Sequence, residues 1–266
     1  MRTRASKHAF NNGVLLLLLA LAVGSARTCG KGAPRTSRVS TPVRNPIQDV
    51  LRPNSSAEYR DGIAAAILID TSGSMNQQVK DADGRARPKI EIAQRAAIGL
   101  VNQFDAYARE HSGQAIYLGI YEFSDRSANM RPTRQVIPLG PPNPAVAKSA
   151  ISKMVAGGDT PIGDAMIVAK RDVDATGLAK RHILVITDGE NTKGYSPADV
   201  TQVISSQSEK DRASIYFIAF DVAASTFNSV RDSGGLVLAA SNEHDLKDTL
   251  GYLLTGKILV EQPVSR

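Results

Sequence analysis

Three short segments, far apart in the chain, carry the side chains best suited to chemistry. "ILIDTSGSM" (67–75) ends an apolar run in Asp70 and follows it with Thr71, Ser72, Gly73 and Ser74. "AGGDTPIGDAM" (156–166) places Thr160 just before Pro161, and "ILVITDGENT" (183–192) ends a second apolar run in Asp188. Gathered in one crevice, Asp70, Ser72, Ser74, Thr160 and Asp188 make a set of hard oxygen donors with modest negative charge. Such a set suits a small divalent cation, Mg²⁺ first with Mn²⁺ or Ca²⁺ as alternatives, while the lack of clustered cysteine or histidine argues against zinc and copper. Gly73 is expected to let the backbone turn so that both serines face inward. The helix after Thr160 is expected to offer amide donors to an arriving anion. Asp-Thr-Ser-Gly-Ser alone reads equally well as a capped turn; the other two segments favour the site.

The elements that must bring these residues together are legible as alternating patterns. Apolar runs of strand length occur at 63–69, 115–123, 134–139, 182–187, 214–220 and 235–240, near-continuous as expected of strands covered on both faces. Between them lie helical stretches. In 89–110, Ile90, Ala93, Ala97, Leu100, Phe104 and Tyr107 recur at three- and four-residue spacing. Further helices are expected at 144–155, 163–173, 197–209, 224–232 and 243–254, with Pro144, Pro161 and Pro197 near helix starts. This alternation predicts an α/β fold, a doubly wound, mostly parallel six-stranded sheet with helices on both faces. The gap between 123 and 134 is too short for a crossover helix, so those two strands should form an antiparallel pair at one edge. In the strand order 3-2-1-4-5-6, Asp70 and Asp188 end neighbouring strands at the switch point, where such sheets bind ligands.

With those residues in place, the chain resembles the von Willebrand factor type A (VWA) family. "DTSGS" (70–74) matches its Asp-x-Ser-x-Ser signature, and Thr160 and Asp188 match the loop Thr and strand-end Asp of its metal-ion-dependent adhesion site. The resemblance covers roughly residues 61 to 255. It implies a Rossmann-like VWA fold, with Ser72, Ser74 and Thr160 touching the metal directly and Asp70 and Asp188 directly or through water. It further implies binding of a protein partner that supplies an Asp or Glu carboxylate, without chemical turnover. A polar insertion, "NQQVKDADGRARP" (76–88), departs from a minimal connection at the rim and could shape partner choice.

Competing readings fare worse. In "KDADGR" (80–85), aligning Gly84 to the sixth position of a calcium loop puts Val79 first and Ile90 twelfth, where carboxylates are needed. "GDTPIG" (158–163) lacks the Lys and Ser/Thr of a phosphate loop. Asp70 stands where a hydrolase elbow needs glycine before Ser72. The aspartic-protease triplet is interrupted by Ser72, and an α/β pattern opposes that fold. A metal-dependent hydrolase is the runner-up, and a scaffold with a vestigial metal site a third reading. Asp159 and Asp164 read as helix-start electrostatics, "FSD" (123–125) as an exposed turn at the same sheet end, and His111 and His182 as surface or boundary histidines.

The remaining features bear on location. The chain has 266 residues and a formal charge of +6, but ten of its 32 Lys/Arg lie in the first 60 residues beside only two acids. Beyond position 60 the balance is 22 basic against 24 acidic side chains, so no nucleic-acid partner is expected. Residues 1–26 combine Arg2, Arg4 and Lys7, an apolar run from Val14 to Val23 and the small residues Gly24, Ser25 and Ala26. That order reads as an export signal, its apolar run being too short to span a bilayer. A periplasmic, cell-surface or secreted location follows, with the mature chain starting near Arg27. Cys29, the only cysteine, is the sole candidate for a lipid anchor to a membrane, although Ala26-Arg27-Thr28 departs from the usual lipoprotein sequence. Residues 27–60 read as a disordered basic linker, 61–255 as the folded domain and 256–266 as a tail.

Overall fold

The computed structural model describes residues 45–53 and 59–260. The export signal, Cys29, most of the basic linker and the last six residues lie outside the described residues. Among the described residues, eight strands and seven α-helices follow one another as α1 (Pro46–Val50), β1 (Arg60–Asp70), β2 (Gln78–Lys80), β3 (Ala86–Pro88), α2 (Lys89–Glu110), β4 (Ala115–Phe123), β5 (Thr133–Gly140), α3 (Pro144–Ile151), α4 (Ile162–Ala175), β6 (Leu178–Thr187), α5 (Pro197–Ser205), β7 (Ser214–Phe220), α6 (Asn228–Asp232), β8 (Leu236–Ala240) and α7 (Glu243–Leu253). The main sheet has the order β5-β4-β1-β6-β7-β8, parallel except for the β4–β5 pair. This is the expected doubly wound α/β arrangement with one antiparallel edge strand.

β1 lies at the centre because it can be buried on both sides. Its last nine residues are buried, and their alternation sends Ile63, Ala65, Ile67 and Ile69 into one core and Ala64, Ala66 and Leu68 into the other. The first core is covered by α2, α3 and α7 through residues such as Leu100, Phe104, Ile151 and Leu250. The second is covered by α4 and α5, where Ala165 and Ala169 share the cluster with Ala64 and Ala66. Small side chains on both partners let helix and strand pack closely.

Several boundaries differ from the sequence expectation for identifiable reasons. β6 begins at Leu178, ahead of the apolar run, because Lys180 and Arg181 are buried in the strand through ion pairs with Asp61 (3.7 Å) and Asp174 (3.1 Å). The helix expected at 224–232 is a 3₁₀ turn, Ala224–Phe227, followed by α6; Phe227 anchors the join, its ring 5.4 Å from that of Phe217. Part of the expected linker is ordered: α1 is capped by the Asn45 side chain (3.0 Å to the Ile47 amide), and Ile47 and Leu51 enter the core. The expected tail begins inside a π-helical turn, Leu254–Ile258, whose Ile258 is buried. The 76–88 insertion forms the small β2–β3 hairpin, held to α7 where the Ala82 amide donates to Glu243 (3.0 Å). His182 is buried mid-strand, and burial, then the charge of Lys180, lowers its pKa to about 3, so it is neutral. His111 caps the end of α2 and stacks on Tyr107. Among the described residues no helix is long and apolar enough to cross a membrane.

Candidate functional site

The carboxyl edge of the sheet gathers the three segments. Asp70 is the last residue of β1, and β1 pairs with β6 through Ile69 and Ile186, so Asp188 emerges beside it. Asp70 is fully buried; one carboxylate oxygen accepts the Ser72 amide (2.7 Å) and the other accepts the Thr187 hydroxyl (2.6 Å). Burial pushes its pKa up to about 6, against the pull of those two hydrogen bonds. The Ser72 and Ser74 hydroxyls lie 3.1 Å apart, and Ser74 donates to Asp188 Oδ1 at 2.7 Å. Thr71 points the other way, donating to the Phe123 carbonyl (3.2 Å) and the Ser124 hydroxyl (3.1 Å). Alternate residues of the motif therefore serve different ends, two serines in the crevice and one threonine in the framework.

Thr160 reaches the crevice on a loop stitched to both neighbours. The Gly157 amide donates to the Thr71 carbonyl (2.8 Å), and the Gly73 amide donates to the Gly158 carbonyl (3.0 Å). On the other side Thr160 and Thr192 exchange two bonds, amide to hydroxyl at 2.8 Å and amide to carbonyl at 3.0 Å. Gly158 has the left-handed backbone (φ +89°), and a Cβ there would lie 2.4 Å from the Asp125 carbonyl oxygen, so only glycine permits this approach. Gly73, by contrast, is not among the glycines with left-handed backbone and opens a 3₁₀ turn, Gly73–Asn76. The serines thus face the crevice through that turn, not through glycine's conformational freedom.

Two other expectations are corrected. The amides at the start of α4 are not free for an anion, because the Asn191 side chain accepts from Ile162 (2.8 Å) and Gly163 (3.4 Å). "FSD" is not an exposed turn: Phe123 and Ser124 are buried, and Asp125 pairs with Lys193 at 2.6 Å. Asp164 accepts the Tyr195 amide (3.1 Å), a loop-bracing role at the helix start, and Asp159 lies 3.7 Å from Lys193.

Sequence reasoning missed Lys89. This buried side chain begins α2, and its ammonium reaches Asp188 Oδ2 (3.0 Å), Asp221 (2.9 Å) and the Gln77 side-chain oxygen (3.1 Å). Burial disfavours its charge, but the bonds to Asp221 and Asp188 outweigh that and hold its pKa above the ordinary lysine value. A signal was present: a cation at the first helical position opposes the helix dipole and calls for nearby acids. Asp221 follows β7 directly and is the sole non-glycine residue with positive φ (53°) among the described residues. Three adjacent strands therefore end in carboxylates, Asp70, Asp188 and Asp221, with one ammonium between the last two.

Among the described residues no cluster of three or more His, Cys, Asp or Glu side chains is arranged to hold a metal ion. Any cation here would depend on hydroxyls as well as on Asp70 and Asp188. The donor chemistry fits a hard ion: buried oxygens, with neither thiol nor imidazole in the crevice.

The model of the von Willebrand factor type A domain matches residues 66–248. The uncharacterized protein YwmD of Bacillus subtilis (strain 168) is 25% identical over 178 residues, 65% of this chain and 75% of that protein. A solved von Willebrand factor type A protein from Catenulispora acidiphila superposes with a TM-score of 0.52 at 22% identity, covering 71% of this chain and 41% of that one. The pilus adhesin SpaC of Lactobacillus rhamnosus GG, in its open conformation, gives 0.56 at 13% identity over 76% and 31%. The chain thus spans less than half of either solved structure's length, and the likeness is one of fold. Strand order, the position of the three motif segments and the family match together make this chain a member of the von Willebrand factor type A domain family.

Proposed function

We propose that this chain is an exported VWA domain that binds a protein partner through a divalent cation held by Asp70, Ser72, Ser74, Thr160 and Asp188. Family membership supports protein binding or adhesion in general terms. The observation that carries the finer reading is the run of oxygens at the switch point, Ser72 to Ser74 at 3.1 Å and Ser74 to Asp188 at 2.7 Å, beside the buried Asp70. Hydroxyls that pair with one another and with an acid keep lone pairs to turn to a hard cation. Mg²⁺ fits first, Mn²⁺ or Ca²⁺ next. When bound, the ion would supply a Lewis-acidic position for a partner's Asp or Glu carboxylate. The protein's own part is to keep the donors fixed: Thr187 and the Ser72 amide orient Asp70, and Thr192 holds the Thr160 loop. In this reading nothing is turned over, and the domain serves outside the cytoplasm.

The test is titration of Mg²⁺ into the full chain by calorimetry, paired with capture of partners from native extract with and without chelator. Ser74→Ala should reduce both metal binding and chelator-sensitive capture while leaving the fold intact. Undiminished capture by Asp70→Ala, or in chelator, contradicts the proposal. A metal-free scaffold is the second reading, favoured by Lys89, whose ammonium already rests on Asp188; it requires that the wild-type chain take up no Mg²⁺.

A further inference from the structure

We propose that Lys89 is a resident counter-cation of this site, a positioning residue that holds Asp188 and Asp221 together before a metal arrives and sets how tightly one binds. The inference rests on the metal-binding reading above. The carboxylates at the ends of β1, β6 and β7 carry three negative charges, and Lys89 supplies one positive charge among them. Its contacts divide Asp188 cleanly. Oδ2 is taken by the ammonium at 3.0 Å, and Oδ1 faces Ser74 at 2.7 Å. Only Oδ1 is thereby left for the crevice, and the carboxylate cannot rotate without abandoning a buried cation. Asp221 takes the left-handed region, φ 53°, as it meets the same ammonium, a backbone that aspartate adopts more readily than most non-glycine residues. Gln77, at the end of the 3₁₀ turn that carries Ser74, ties the ammonium to the motif loop as well.

The electrostatic consequence has a definite sign. With Lys89 the three carboxylates and the ammonium sum to −2, which one divalent ion neutralises. Without Lys89 the same ion would sit in a net negative site and repel an incoming carboxylate. Lys89 therefore weakens metal binding while leaving the loaded site receptive to an acid.

Calorimetric titration of Mg²⁺ into the full wild-type chain, Lys89→Met and Asp221→Asn, with thermal unfolding in chelator, tests this. Lys89→Met should bind Mg²⁺ about ten-fold more tightly, since a like charge is removed near the ion, and its unfolding midpoint in chelator should fall by about 5 °C. Asp221→Asn leaves the ammonium wholly to Asp188 and should weaken Mg²⁺ binding about three-fold; asparagine tolerates the left-handed backbone, so this variant folds even where Lys89→Met does not. Mg²⁺ binding by Lys89→Met alone also supports the proposal, because it shows the ammonium holding the metal's place. Wild-type binding that neither variant moves, or that Lys89→Met weakens in a folded chain, overturns the role of Lys89 and leaves the metal reading standing. No binding by any of the three chains overturns both.

Discussion

Two clusters of charge, each around a buried cation, lie at opposite edges of the same sheet, and they are built to different rules. At the amino edge, Lys170 and Arg181 face Asp174 and Asp211: Lys170 pairs with Asp174 and donates to the Asp211 carbonyl (3.0 Å), and Arg181 reaches Asp174 at 3.1 Å. Tyr59 closes the group, its ring 4.2 Å from the Arg181 guanidinium and its hydroxyl donating to Asp211 (3.0 Å). Two cations meet two anions, so the cluster is balanced. At the carboxyl edge, Asp188 and Asp221 share Lys89, Asp70 beside them has only hydrogen-bond donors, and serine hydroxyls meet each other. Balance marks a fastening, here of Tyr59 at the entry to β1. A surplus of one sign at the switch point marks a place where something else is meant to arrive.

The largest effect should come from breaking the balanced cluster. Asp174→Ala would leave Lys170 and Arg181, both buried, without their shared carboxylate, and should cost about 3 kcal/mol in urea unfolding. The metal-binding heat of the folded fraction should be unchanged. Equal loss of metal binding would erase the division of labour between the two edges.

A medium effect should appear on changing pH in chelator. Burial pushes the Asp70 pKa up to about 6 from the ordinary 3.8, so the native state binds more protons between roughly pH 4 and 6. Its contribution therefore makes the metal-free protein less stable as pH rises through that window, with a slope of at most about 1.4 kcal/mol per pH unit. Glu243 is opposite in sign. Its burial is outweighed by hydrogen bonds, first from Arg95 and then from the Ala82 amide, which hold its pKa at about 2; the stability it adds is present above pH 4.5 and lost on acidification toward 2. Asp70→Asn should flatten the upper window and leave the acid limb unmoved, as thermal midpoints across pH would record.

The smallest effect concerns the loop that carries the serines. Gly73 has no left-handed backbone, and a Cβ there would lie 3.7 Å from the Gly158 carbonyl oxygen, an ordinary contact. Gly73→Ala should change stability by no more than about 0.5 kcal/mol and leave Mg²⁺ affinity within two-fold. A large loss would mean that glycine, and not the turn, sets the serines' direction.

Much of the fold could be read from the chain because its signals are local. Apolar runs ending in Asp70 and Asp188 marked two strands, and the three- and four-residue spacing from Ile90 to Phe104 marked α2 along its whole length. The short link between 123 and 134 fixed the antiparallel pair, since no crossover fits it. Where charge was buried, the reading stopped short: Lys180 and Arg181 hid the beginning of β6, and the Pro/Arg-rich character of 27–60 hid α1. In the site, the five oxygen donors were named from type and spacing, and four of them are joined by hydrogen bonds, while Thr160 is fastened beside them through its loop.

What the sequence determined by itself was the alternation of elements, the antiparallel edge pair and which oxygens end the apolar runs, because periodicity and connection length are written residue by residue. Tertiary structure alone decided that Asn191 closes the start of α4, that Thr71 turns away from the crevice and that Lys89 settles between Asp188 and Asp221. Each of those is a pairing across separate elements, and a side chain's partner across space depends on the packed geometry of the strands and helices, which no local pattern records.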